Sequence, residues 1–437
     1  MRVGVIGTGH VGLTTCVTLA ALGHDVVGTD HDGEKIASLQ AGTAPFFEPG
    51  LQDLLDDTLA RGRLRFTTDD RDAVAGSEVV FICVGTPARA RGDANLVAVE
   101  NAARAVARHA TGPVVVVEKS TVPAGTSARV RRTLERERPE LSGRLHVASN
   151  PEFLREGNAI KDSLEPDRIL VGAQSETAFE VMRRLYAPLT AKGHALIETD
   201  IDTAELAKHA CNAFLALKIS YANALARLCE RAGADVTRVA EVMGTDPRIG
   251  RAFLDAGLGY GGYCFPKDIV AFERLAVRLG YDMPLLREVA RINREAVDAT
   301  AEKVEEALWN VEGKRVALFG LAFKPGTDDT RESPALVLAR RLLSEGATVI
   351  GYDPQASSNA KADVPELEVA PDAYDAARGA HCVVVSTEWD EFRRLDLARL
   401  KDVMAYPVVV DGRNLFDPQV MVSAGFNYVP TGRPAGG

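Results

Sequence analysis

Cys264 stands in the run Gly259-Tyr-Gly-Gly-Tyr-Cys-Phe-Pro-Lys-Asp268, and a glycine fingerprint, Gly7-Thr-Gly-His-Val-Gly12, opens the same chain. A thiol and a hydride-acceptor site in one protein suggest oxidation through a covalent thioester. The surroundings of Cys264 favour its thiolate, because a glycine-rich loop precedes it, Lys267 follows it and a helical pattern over residues 269–279 begins close by. A packing cysteine is the alternative at this position. The other five cysteines, Cys16, Cys83, Cys211, Cys229 and Cys382, sit in apolar helix-like or strand-like runs, where a small buried thiol is the ordinary explanation.

These groups must be positioned, and the fingerprint shows how. Val3–Ile6 reads as a strand, residues 13–22 as a helix and Gly23 as its stop. Between them Gly7, Gly9 and Gly12, with His10 and Val11, form the tight turn that lets a backbone approach a pyrophosphate at a helix N-terminus. The next strand, Asp25–Thr29, runs into Asp30, 18 residues after Gly12. A carboxylate there accepts from a ribose 2'-hydroxyl and repels a 2'-phosphate, which favours NAD over NADP. Lys35 is either a charge beside the adenosine or an ordinary exposed helix lysine. Strands at residues 79–84 and 113–118 end in polar loops, so Thr86 and Thr121 face the ligand side of a parallel sheet.

From residue 203 to about 231 a long helix carries the apolar stripe Leu206, Ala210, Ala213, Leu217, Tyr221, Ala224 and Leu228. Lys208 and Asn212 share one of its faces at i, i+4 spacing; snorkelling and function both remain open for that lysine. Helical patterns continue over 235–243, 269–278 and 285–309. The last third then repeats the first in outline: strand 315–319, Gly320, a helix, and strand 348–353. The expected fold class is α/β, with two Rossmann-like doubly wound domains joined by a long central helical segment. The expected boundaries are 1–198 for an NAD-binding domain, 199–309 for a helical, dimer-forming segment with the cysteine loop, and 310–437 for the second α/β domain. That second domain lacks a G-x-G-x-x-G, and Lys324, Arg331 and Arg413 lie at or beyond its strand ends, where cations suit a nucleotide diphosphate. The tail 430–437 reads as disordered.

Composition excludes several classes. A formal charge of -10 argues against a nucleic-acid or anionic-membrane surface. Six cysteines without a C-x-x-C pair indicate a reducing compartment, and the absence of a leader pattern or a membrane-length apolar run predicts a soluble cytoplasmic protein. The eight histidines are dispersed without metal-ligand spacing, so no metal is expected. Tyr263-x-x-x-Lys267 formally matches the pair of short-chain dehydrogenases, but Gly261, Gly262 and Pro266 speak against the regular helix that pair needs.

Taken in order, these motifs resemble the nucleotide-sugar 6-dehydrogenases, the UDP-glucose/GDP-mannose dehydrogenase family. The resemblance spans nearly the whole chain and is strongest over residues 119–126 (KSTVPAGT), 150–157 (NPEFLREG), 204–214 (AELAKHACNAF) and 261–268 (GGYCFPKD). It implies a four-electron, NAD-dependent oxidation of a sugar C6 alcohol to a carboxylate, and a homodimer built on the central helix. UDP-glucose is the substrate it matches best; GDP-mannose matches less well, and dTDP-glucose has a base that differs by one methyl, worth only about 1–3 kcal/mol in a pocket. Residue by residue, it implies Cys264 as nucleophile, Glu152 as the base for thioester hydrolysis, Asp268 with Thr121 as water-positioning groups, and Lys208 with Asn212 as stabilisers of the oxygen at C6. Thr86, Thr121, Glu156, Lys267 and Arg331 match cofactor contacts. Phe153, Leu154, Arg155 and Glu156, then Phe253, Leu254, Gly257, Gly261, Lys324 and Arg413, match the sugar-nucleotide site, together with Glu152, Lys208 and Asn212. Arg248 matches an arginine that reaches the substrate of a partner subunit. Tyr263 departs from the family's usual serine and puts the sugar or nucleotide specificity in doubt. A two-electron dehydrogenase or an epimerase with a structural Cys264, and a catalytically silent sugar-nucleotide sensor, stand as the alternatives.

Overall fold

The computed structural model describes residues 1–87, 89 and 93–434. They divide into two compact units, residues 1–211 with 270–280, and residues 212–269 with those from 281 onward. The division falls inside two helices, the central helix Ile201–Ala232 and the thiol helix Cys264–Arg278.

The first unit holds an eight-stranded sheet of β1 (Arg2–Ile6), β2 (Asp25–Thr29), β3 (Leu64–Thr67), β4 (Val79–Ile82), β5 (Val114–Glu118), β6 (Leu145–Ser149), β7 (Ile169–Ala173) and β8 (Leu196–Thr199). Its order is β3-β2-β1-β4-β5-β6-β7-β8, and only the β6–β7 pair is antiparallel. The valine-rich strands are explained by burial on both faces. Val79, Phe81, Val115 and Val117 pack with Leu13, Cys16 and Val17 on one side, while Val80, Ile82, Val114 and Val116 pack with Val99, Ala102 and Val106 on the other. This is the period-two alternation of a strand sorted into two cores.

The second unit repeats the plan with β9 (Arg315–Phe319), β10 (Thr348–Tyr352), β11 (Glu368–Val369), β12 (Cys382–Val385), β13 (Val408–Asp411) and β14 (Asn427–Pro430), all parallel, in the order β11-β10-β9-β12-β13-β14. Both sheets therefore reverse winding beside their first strand, between β1 and β4 and between β9 and β12. Ligand crevices open at the carboxyl ends of such strands.

Two expectations change. The thiol helix begins at Cys264, five residues before the apolar pattern at Ile269, and it contains Pro266. Proline is tolerated in a first turn, because its missing N–H belongs to the set that has no intrahelical partner. Tyr263 precedes the helix, so it and Lys267 are still not a helical i, i+4 pair. The tail is also ordered further than expected. Pro430 ends β14, Gly432 N–H donates to Glu230 (2.8 Å), Gly432 C=O accepts from Val236 N–H (2.8 Å), and Arg433 reaches Asp235 (3.3 Å). The remainder of the expected disordered stretch, residues 435–437, lies outside the described residues. No helix among the described residues is long and apolar enough to cross a membrane.

Candidate active site

In the first unit the turn after β1 is shaped by backbone contact. Gly7 has φ 95°, and a Cβ on it would lie 2.5 Å from the Cys83 carbonyl oxygen; one on Gly12 would lie 1.9 Å from that of Gly7. At Gly9 a Cβ would meet nothing within 4 Å, so this backbone is bare. Gly9 also opens the helix His10–Ala21 without any side-chain cap, leaving first-turn N–H groups for an anion. His10 stacks on Phe46 at 3.7 Å, and Val11 is half-buried. Asp30, at the end of β2, accepts from Thr8 N–H (2.9 Å), the Thr8 hydroxyl (3.0 Å), Lys35 Nζ (3.0 Å) and Asp32 N–H (3.2 Å). Burial alone would raise its pKa, but these donors outweigh burial and hold the carboxyl below the usual range, so it stays ionised. Lys35 is thus a partner of Asp30 rather than a solvated lysine. Bare glycine, uncapped helix and ionised carboxylate together fit a dinucleotide.

Beyond β4 and β5, the Thr86 hydroxyl donates to the Thr121 carbonyl at 3.0 Å and joins the two loops. Glu152 and Lys208 form an ion pair at 3.0 Å, with their side chains only 6% and 5% exposed. The second Glu152 oxygen accepts from Leu154 N–H at 2.9 Å. The Phe153 ring lies under Lys208 (5.3 Å) and Arg168 (3.9 Å). Glu156 is half-buried, whereas Arg155 is exposed and forks onto Asp162 at 2.9 and 2.6 Å.

In the second unit Cys264 is the half-buried first residue of its helix, where the helix dipole favours a thiolate. One turn on, Asp268 is almost fully buried and accepts from Asn212 Nδ2 and Lys267 Nζ, both at 2.6 Å. Burial pushes the Cys83 and Cys382 thiols up to about 12, as expected of packing cysteines. Gly262 N–H donates to the Arg331 carbonyl at 2.9 Å, and a Cβ on Gly261 would lie 2.3 Å from the Glu332 carbonyl. Phe253 adopts φ 66°, an uncommon conformation for a bulky residue, while Leu254 is buried. Gly257 packs against Arg413, which donates from Nε to the Ser386 carbonyl (2.8 Å) and approaches Glu388 (3.3 Å). Lys324 lies 5.6 Å from the Phe323 ring. Arg248 stands apart, with its side chain 87% exposed and forked onto Asp246.

Sequence reasoning missed several supports of this arrangement. Lys119 donates to Asn150 Oδ1 (3.1 Å) and to its carbonyl (3.3 Å), and Tyr186 donates to the same Oδ1 (2.5 Å), which fixes the start of the segment carrying Glu152. Burial above all, with the Lys208 charge adding to it, holds the Lys119 ammonium below the usual lysine range, although Cys83 and Glu152 pull the other way. Asn293 clamps Tyr260, accepting from its N–H (2.8 Å) and donating to its carbonyl (3.0 Å). The Lys119 position had a signal, a cation at a strand's carboxyl end; Asn293 had none.

Profiles of the UDP-glucose/GDP-mannose dehydrogenase family match the chain in three consecutive parts: the NAD binding domain over residues 1–190, the central domain over 202–295 and the UDP binding domain over 317–418. A UDP-glucose 6-dehydrogenase of Rhizobium meliloti is 46% identical over 99% of this chain and 100% of its own length. UDP-glucose 6-dehydrogenase YwqF of Bacillus subtilis is 42% identical over 100% and 98%. The solved structure of a UDP-glucose dehydrogenase from the archaeon Pyrobaculum islandicum superposes with a TM-score of 0.91 at 40% identity, covering 98% of this chain and 97% of that one.

Proposed function

The chain belongs to the UDP-glucose/GDP-mannose dehydrogenase family, and on that premise we propose that it oxidises the C6 alcohol of UDP-glucose to the carboxylate of UDP-glucuronate. NAD, when bound at the glycine turn, supplies the two-electron acceptor for each oxidation, so one alcohol, two NAD⁺ and one water give one carboxylate, two NADH and three protons. The Cys264 thiolate adds to the C6 aldehyde, and the carbon–sulfur bond persists through the second oxidation as a thioester. Glu152 takes a proton from the water that attacks this thioester, Asp268 and Thr121 position that water, and the thiolate leaves. Lys208 and Asn212 donate to the C6 oxygen as it gains charge, an effect of about 3 kcal/mol for one well-placed donor in a dry site. The observation that carries the reading is Cys264 at the start of a helix, with Asp268 one turn on and held by Asn212 and Lys267.

In this reading residues 1–198 hold the cofactor, 199–309 bring the thiol and the dimer surface, and 310–437 hold the nucleotide. Thr86, Glu156, Lys267 and Arg331 touch NAD; residues 153–157, Phe253, Leu254, Gly257, Gly261, Lys324 and Arg413 receive the sugar nucleotide, whose diphosphate suits the last two cations. Phe214, Tyr221 and Leu228, spaced by sevens on the central helix and 61%, 50% and 61% exposed, support pairing with a second copy, to whose substrate Arg248 reaches. The buried, unpaired thiols Cys16, Cys83, Cys229 and Cys382 suit a cytoplasmic enzyme. Counting NADH against sugar tests the chemistry. Two NADH and an acid per UDP-glucose are expected, and one NADH with a released aldehyde would refute the thioester.

A further inference from the structure

Tyr263 immediately precedes the thiol and is half-buried. Its ring centroid lies 4.7 Å from Arg331 Cζ and 5.5 Å from Lys267 Nζ. Each cation is also held by a carboxylate. Arg331 forks onto Asp329, Nε to Oδ1 at 2.8 Å and Nη2 to Oδ2 at 2.6 Å, and Lys267 donates to Asp268 at 2.6 Å. The ring is therefore in reach of an ion pair on the thiol helix and of an ion pair in the loop that follows β9.

The backbones of those two segments also touch. Gly262 N–H donates to the Arg331 carbonyl at 2.9 Å, Gly261 leaves no room for a Cβ beside the Glu332 carbonyl, and Glu332 takes the uncommon φ of 50°. Two positive groups brought to one place repel, and the negative quadrupole of an aromatic ring within reach of both offsets that repulsion. A planar guanidinium gains further from lying on an aromatic face. An aliphatic side chain of similar bulk would fill the space without doing either.

We propose that Tyr263 is a positioning residue whose ring clamps the Gly261–Cys264 turn onto the 329–333 loop by holding Lys267 and Arg331 together. The clamp fixes the thiol and presents both cations as one unit. Its effect on the cofactor rests on the reading of Lys267 and Arg331 as NAD contacts.

The test compares Tyr263→Phe, Tyr263→Leu and Tyr263→Ser in the full-length protein. Without any ligand, hydrogen exchange of the peptide carrying residues 261–264 should run at least about fivefold faster in the Leu and Ser variants, because the Gly262 hydrogen bond opens more often, and stay within about twofold of the parent in the Phe variant. With UDP-glucose saturating, the KM for NAD should rise about tenfold in the Leu and Ser variants, equivalent to about 1.4 kcal/mol, and hold in the Phe variant. A Leu variant that exchanges as slowly as the parent overturns the clamp, since bulk alone would then suffice. A Phe variant as fast as Leu overturns it too, since the hydroxyl would be the active group. Faster exchange with an unchanged KM for NAD leaves the clamp standing and removes Lys267 and Arg331 from the cofactor site.

Discussion

Replacing Lys208 by methionine separates what its ion pair does for the fold from what its ammonium is proposed to do for the reaction. At 3.0 Å and an effective dielectric of about 20, the attraction to Glu152 is roughly 5–6 kcal/mol, much of it cancelled by taking both charges out of water. Lys208→Met leaves the Glu152 carboxylate buried with the Leu154 N–H as its remaining donor of the two described above, a situation that costs about 3–5 kcal/mol. Removing both charges in Lys208→Met/Glu152→Gln should bring stability back to within about 1–2 kcal/mol of the parent. In calorimetry the transition of the first unit should fall roughly 6–20 °C in the single variant and only a few degrees in the double variant. Turnover should be reduced at least about 10²-fold in both, because neither has the ammonium proposed to meet charge at C6. Glu152→Gln alone keeps thiol and ammonium, so NADH should appear in a burst of about two per site, followed by slow release of a sugar-nucleotide adduct from Cys264 that intact mass detects. Additive melting shifts would refute a desolvated, coupled pair. A double variant with near-parental turnover would refute the role given to Lys208.

Asp30→Asn keeps an acceptor for Thr8 but removes the charge and frees Lys35 to meet a 2'-phosphate, so the NAD-to-NADP ratio of kcat/KM should fall by at least about tenfold; an unchanged ratio counts against Asp30 as the discriminating group. Phe214→Glu puts a charge into the exposed stripe of the central helix and should shift sedimentation from dimer to monomer, with turnover falling in parallel if Arg248 serves the partner's site. A dimer of undiminished stability would place the subunit contact elsewhere.

Much of this was legible because the signals are local. The glycine spacing and Asp30 specify strand, turn, helix and strand within one short stretch, and uninterrupted valine runs betray strands buried on both faces. The repeat in the last third was readable from the same pattern, down to a glycine in the same conformation after each first strand: Gly7 at φ 95° and Gly320 at φ 92°. What failed was position-dependent. Pro266 reads as a helix breaker until its place in a first turn is known, and β3, with Arg65 exposed and Leu64 and Phe66 buried, is too short to stand out. The contacts that support the site were not legible, even where one partner, Lys119, carried a signal of its own. Asn293 and Tyr260 meet across 33 residues, and Lys119 and Asn150 across 31, and nothing in either local sequence specifies that encounter.

The two sheets share a topology but use the carboxylate after their second strand differently. Asp353 follows β10 as Asp30 follows β2, yet its oxygens are taken by the backbone N–H groups of Leu321 (2.7 Å), Ala322 (3.0 Å), Gln355 (2.9 Å) and Ala356 (2.8 Å) and by the Trp389 indole (3.0 Å). A carboxylate offers about four acceptor sites, so none is left for a ribose. Asp30 is equally crowded, but Lys35, the Thr8 hydroxyl and the fully exposed His31 are side chains that can rotate aside. Four of the five donors on Asp353 are main chain and cannot. The difference extends to the turn each carboxylate fastens: the first leaves Gly9 bare for a pyrophosphate, and the second puts Leu321, Ala322 and Phe323 in the corresponding loop. The missing fingerprint and the saturation of Asp353 therefore go together in the second unit, and both favour the proposal that its crevice takes a nucleotide diphosphate at Lys324 and Arg413 rather than a dinucleotide.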